Sequence, residues 1–198
     1  MNIHLRRILM GATFAAIVSV SQAQVFTAFL DGPSESPPNA SPGTGFAQIT
    51  INTTLVTMRV EANFTGLVAG VTAAHIHATT ASAFTGTAGV ATQTPTFSGF
   101  PSGVTSGVYD NTFDMTQTSS YNASFITANG GTTASAFAAL VSAMQQSRAY
   151  FNIHTQAFTG GEIRGFLSPV PEPETLLALG GLLCVTSVGR LRRRNRKE

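Results

Sequence analysis

Apolar and polar residues alternate with a period of two through much of the stretch from 24 to 169, the pattern of strands that bury one face. It is clearest over residues 55–64, where Val56, Met58, Val60, Ala62 and Phe64 fall on one side and Thr57, Arg59, Glu61 and Asn63 on the other. Residues 25–30, closed by Asp31-Gly32-Pro33, residues 46–51 and residues 71–77 predict further strands. Pro37, Pro38 and Pro42 make 33–45 a loop, because proline can neither continue a helix nor donate to a central strand. Residues 78–107, dense in Thr, Ser, Gly and Pro, read as loops with short extended pieces, and 108–115 and 121–126 as two weaker strands. The period then changes. Phe137, Leu140, Val141 and Met144 stand at i, i+3, i+4 and i+7, so 132–148 is a helix with one apolar face. Alternation returns over 149–155 and 162–167, joined by Thr159-Gly160-Gly161. The expectation is an all-β antiparallel sandwich or barrel with one short helix.

The two ends differ from this middle. Residues 1–23 open with His4, Arg6 and Arg7, continue as an apolar run over 8–20, and finish with Ser21-Gln22-Ala23, the layout of a signal peptide cleaved by signal peptidase after Ala23. At the other end, Val170-Pro171-Glu172-Pro173-Glu174 precedes an apolar stretch over 175–189 and the cluster Arg190, Arg192, Arg193, Arg194, Arg196 and Lys197. The apolar stretch is about 22 Å long as a helix, short of a hydrocarbon core of roughly 30 Å, and the long arginines at its end make up part of the difference. Basic residues stay on the cytoplasmic side, which leaves the domain outside. With Pro171, Glu172 and Pro173 as its motif, the tail over 170–198 resembles the PEP-CTERM sorting signal. The resemblance implies transient anchoring in the inner membrane of a Gram-negative bacterium, processing by an exosortase, and association with exopolysaccharide at the cell envelope.

Charge alters the picture once the ends are set aside. Between residues 24 and 169 the cations are Arg59, Arg148 and Arg164, against the acids Asp31, Glu35, Glu61, Asp110, Asp114 and Glu162. A nucleic-acid reader needs a basic face for phosphates, so a nucleic-acid partner is not expected. The single cysteine, Cys184, lies in the tail, and the domain must be held by its apolar core.

Candidate chemistry is confined to two places. His75 and His77 in Ala74-His75-Ile76-His77 share a strand face, and His154 lies on another predicted strand. Together they are a candidate zinc or copper set, or else struts that bond backbone at a sheet edge, and the sequence favours the struts. As metal ligands they must be neutral, and an ordinary imidazole loses that state as pH falls through about 6.5. The second place is Gly160-Gly161-Glu162-Ile163-Arg164-Gly165. Glu162 and Arg164 share a strand face there and are a candidate ion pair, while Gly161 and Gly165 permit close backbone approach. No combination of nucleophile, base and orienting group is present, and phosphate-binding fingerprints are absent, so catalysis is not expected.

Phe64-Thr65-Gly66-Leu67, the His75/His77 pair, Tyr150-Phe151-Asn152-Ile153-His154-Thr155 and the Gly-Gly-Glu-Ile-Arg-Gly block together resemble the CHRD domain over about residues 25–167. Ala78, where a glycine commonly follows the histidine pair, and Thr159, where a proline often precedes Gly-Gly-Glu, depart from its pattern, and both concern turns. The resemblance implies an immunoglobulin-like sandwich or related barrel and a non-catalytic extracellular module. The chain thus reads as signal peptide (1–23), CHRD-like domain (24–169) and sorting signal (170–198).

Overall fold

The computed structural model describes residues 23–171. Strand β1 (Gln24–Asp31) sends Phe26, Ala28 and Leu30 inward, and β2 (Thr44–Asn52) does the same with Ala47, Ile49 and Ile51. The two pair antiparallel in unbroken register from Gln24↔Ile51 to Asp31↔Thr44. In β3 (Thr57–Thr65), Met58, Val60, Ala62 and Phe64 are buried as their alternation predicts. This strand starts two residues later than expected. The Asn52 carboxamide oxygen accepts from the amides of Thr54 and Leu55, at 3.0 and 2.9 Å, and closes a turn that carries Val56 at a φ of 53°.

Strands β4 (Val71–Ala78), β5 (Gly107–Asp114), β6 (Ala149–Thr155), β7 (Ile163–Phe166) and β8 (Ser168–Pro169) complete one antiparallel sheet, ordered β4-β6-β7-β1-β2-β3-β5, with β8 paired to β1. It curls into a half-barrel. Between its ends lie Phe97 and Phe100, from the long segment between β4 and β5. Phe97 packs on Phe113 of β5 (5.3 Å between centroids) and Phe151 of β6 (5.9 Å), and Phe100 packs on Tyr109 of β5 (4.9 Å). The same segment covers the free edge of β4: the Ala74 and Ile76 amides donate to the hydroxyls of Thr96 and Thr92, and the Ala78 amide to the Gly89 carbonyl. An edge so occupied offers no template to another chain.

Two α-helices are present among the described residues where one was expected. Helix α2 (Thr133–Gln145) buries Phe137, Leu140, Val141 and Met144, the predicted face, and opens on a capping box between Thr132 and Ser135. Helix α1 (Ala123–Ala128) replaces the strand predicted over 121–126. Its cause is local: the Asn122 side chain accepts from the Ser124 amide at 2.9 Å and starts a helical turn that buries Phe125. No helix among the described residues is long and apolar enough to cross a membrane. The remainder of the signal-peptide segment, Glu172, Pro173 and the rest of the tail lie outside the described residues.

The outer face of the sheet divides in two. Over β2, β3 and β5 it is open and mostly polar apart from the exposed Val108, with Arg59 paired to Asp110 at 2.6 Å and to Glu61 at 3.0 Å. Over β4, β6 and β7 it is roofed by loops, and there the sequence places its histidines.

Candidate functional site

Because Ala74, Ile76 and Ala78 of β4 belong to the core, the pleat turns His75 and His77 to the other face. Phe151 and Ile153 of β6 likewise force Tyr150, Asn152 and His154 outward. Register does the rest: Ala73 lies opposite His154, His75 opposite Asn152 and His77 opposite Tyr150, so His154 sits diagonally beside His75. The three imidazoles form a triangle with centroids 5.3 to 5.8 Å apart. One nitrogen from each lies within 4.8 Å of the others.

Each ring uses its second nitrogen on a backbone carbonyl. His75 Nε2 bonds to the carbonyl of Pro95 at 2.6 Å, His77 Nδ1 to Ala88 at 2.9 Å and His154 Nδ1 to Thr159 at 3.0 Å. A carbonyl only accepts, so each of these nitrogens carries the proton and the opposite one presents a lone pair. Those opposite atoms, His75 Nδ1, His77 Nε2 and His154 Nε2, are buried without a hydrogen-bond partner. Three orphaned acceptors converging on one point are costly unless something fills the point.

Burial pushes all three imidazoles below their usual range, His77 down to about 4, with the positive field of Arg164 adding to that effect. Each therefore stays neutral to a lower pH than a free imidazole does.

Tyr150 stacks on His77, centroids 4.8 Å apart and planes 5° from parallel, and Arg164 from β7 sets its guanidinium 4.7 Å from the Tyr150 ring centroid. Arg164 does not pair with Glu162. Its salt-bridge partner is Glu35, 3.8 Å away, and it donates to the carbonyls of Ser34 and Gly86. Glu162 precedes β7, and its carboxylate is taken up elsewhere: Oε1 accepts from the Ser41 hydroxyl and the Val68 amide, and Oε2 from the Thr155 hydroxyl, each at 2.6 Å. The expected ion pair failed because the turn before β7 breaks the alternation that would have put both on one face.

Gly161 and Gly165 are held to glycine by contact. A Cβ on Gly161, at a φ of 133°, would meet Asn152 and Glu35 atoms at 2.5 and 2.6 Å, and one on Gly165 would stand 2.0 Å from the Phe29 carbonyl oxygen. Glu35, Tyr150 and Asn152 were assigned no role at the site from sequence. Alternation in β6 already places Tyr150 and Asn152 beside His154, whereas nothing in a proline-rich loop marks Glu35. Ala23 and Pro171 are exposed at the two ends of the described domain.

No curated protein and no solved structure matches the chain. The profile of the CHRD domain does match, over residues 26–167, which is well over half of the chain and takes in all three histidines and the Gly-Gly-Glu-Ile-Arg-Gly block, and the chain therefore belongs to the CHRD domain family.

Proposed function

We propose that this domain is an extracellular binding module whose His75, His77 and His154 take one transition-metal ion, and that it acts by binding and not by catalysis. The observation that supports this reading is the convergence of three buried, unpartnered imidazole nitrogens whose opposite nitrogens are fixed by carbonyls. A purely structural role accounts for the three nitrogens on carbonyls and leaves the three that converge without a purpose. Zinc and copper are the ions such a donor set suits. Metal analysis and isothermal titration with each ion test the reading. One ion per chain, lost in His77→Ala, is expected. A variant that only lowers the melting temperature, in a protein with no stoichiometric metal, would return the histidines to the role of struts.

The two ends of the sequence give the module a place: export with cleavage after Ala23, exosortase processing near Pro171-Glu172-Pro173, and display beside exopolysaccharide outside a Gram-negative cell. The pairing of β8 with β1 supports this arrangement, since the Val170 amide donates to the Val25 carbonyl at 2.8 Å and both ends leave from one edge of the domain. Mass spectrometry of surface material should find chains that begin at Gln24 and end between residues 171 and 174. Intact chains held in the inner membrane of a host with exosortase would overturn it.

A further inference from the structure

We propose that the three-histidine site selects a monovalent cuprous ion over zinc, holding it in a trigonal, all-imidazole set. The inference rests on the metal-binding reading above and adds the identity of the ion.

Charge is the first argument. Among the described residues the cluster contains three histidines and no cysteine, aspartate or glutamate. The carbonyl bonds of Pro95, Ala88 and Thr159 take the proton of each ring, so the donors are neutral. In the stack above His77 the charged group is Arg164, one ring away across Tyr150 and paired with Glu35 at 3.8 Å. The cost of taking an ion out of water rises with the square of its charge. A dication here would keep its whole charge without an anionic ligand, whereas a monocation carries about a quarter of that desolvation cost.

Coordination number is the second. Zinc in protein sites is almost always four-coordinate, and with three histidines its fourth ligand is a water or hydroxide. The three converging nitrogens are buried, and the segment that carries Ala88 and Pro95 and the turn that carries Thr159 hold the opposite nitrogens. None of the three is reached by solvent, so a water as fourth ligand requires the site to open. A cuprous ion is satisfied by two or three ligands, and imidazole is a donor that copper accepts. The orientation of the rings supports the same choice. Each nitrogen lone pair is held by its ring's carbonyl bond, so the set is organised for three ligands before any ion arrives.

The test uses the purified protein without metal, titrated anaerobically with cuprous ion against a chromophoric cuprous chelator and with zinc against a chromophoric zinc chelator. The expected result is one cuprous ion per chain, bound at least about a thousand-fold more tightly than zinc, with the X-ray absorption edge of three-coordinate copper. Because His77→Ala removes a stacked, buried ring, His154→Ala, at a half-buried position, serves as the second variant. It should keep the melting transition and lose cuprous binding by at least about a hundred-fold. Zinc binding as tight as cuprous binding, or a four-coordinate copper edge, would overturn the selectivity and leave the metal site standing. Stoichiometric binding of neither ion would overturn both.

Discussion

His77 and Tyr150 face each other across the register pair that joins β4 to β6, and their rings lie flat on one another with centroids 4.8 Å apart. The contact fixes the plane of His77, while the carbonyl of Ala88 fixes its rotation about that plane at 2.9 Å. The Tyr150 hydroxyl meets the Ala88 amide and carbonyl only at 3.3 Å, so the ring contributes more than the oxygen. Tyr150→Phe should therefore cost less than about 1 kcal/mol, and Tyr150→Ala about 3–5 kcal/mol through the space left behind. Urea unfolding of both variants checks this; equal losses would show that the hydroxyl, not the stack, holds His77.

Glu162 is the buried anion that ties three separate segments together, through Ser41, Val68 and Thr155. Glu162→Ala leaves a backbone amide and two hydroxyls without their acceptor. It should cost about 3 kcal/mol or more, and Glu162→Gln, which keeps one acceptor oxygen, should cost less. Thermal unfolding of the two variants orders them. A stable Glu162→Ala would mean that water replaces the carboxylate.

The glycines of the same block differ sharply. Gly165 has no room for a Cβ against the backbone of β1, whereas Gly160 has nothing within 4 Å of that position. Gly165→Ala should fail to give soluble protein or lose several kcal/mol, since backbone must shift, while Gly160→Ala should stay within about 0.5 kcal/mol of the parent. Expression and melting temperature separate the pair; a well-folded Gly165→Ala would contradict the close approach of β7 to β1.

Glu35 supplies the pH dependence. Its carboxyl is buried and pushed up to about 7 by loss of water, against the opposing pull of Arg164 and the Ser36 amide. A folded-state value above the ordinary one of 4.5 means that the native state holds the proton more tightly. Stability from this group is complete below pH 4.5 and is lost as pH rises through about 7. In metal-free protein the three histidines act in the opposite sense, because their lowered values remove stability as pH falls below about 6.5. Glu35→Gln isolates the first effect. It should match the parent at pH about 4 and exceed it by on the order of 2 kcal/mol at pH about 8. Denaturant titrations at the two values measure the difference, and a variant weaker than its parent at the higher pH would show that Glu35 works as the charged partner of Arg164.

Period-two alternation was enough to place β1, β2, β4, β6 and the body of β3, and the i, i+3, i+4, i+7 spacing was enough to place α2, because a buried stripe leaves a local trace. Alternation also put His75 and His77 on one face, and the order of motifs pointed to the CHRD family. What lacked a local trace was misread or missed. Helix α1 depends on one side chain, Asn122, capping a turn, and the start of β3 depends on Asn52 doing the same. The partner of Arg164 is Glu35, well over a hundred residues away and in a loop without periodicity, and no spacing reveals it. The meeting of His154 with the other two histidines was decided only by the register of β4 on β6, since a shift of one residue would have turned it to the core. The three carbonyls that aim the lone pairs belong to Pro95, Ala88 and Thr159, whose side chains take no part, and backbone contributed by loops is written in no residue type. The sequence by itself determined which residues stand on each strand face; tertiary structure alone decided which faces meet and what roofs them, because those depend on register and chain path between distant segments.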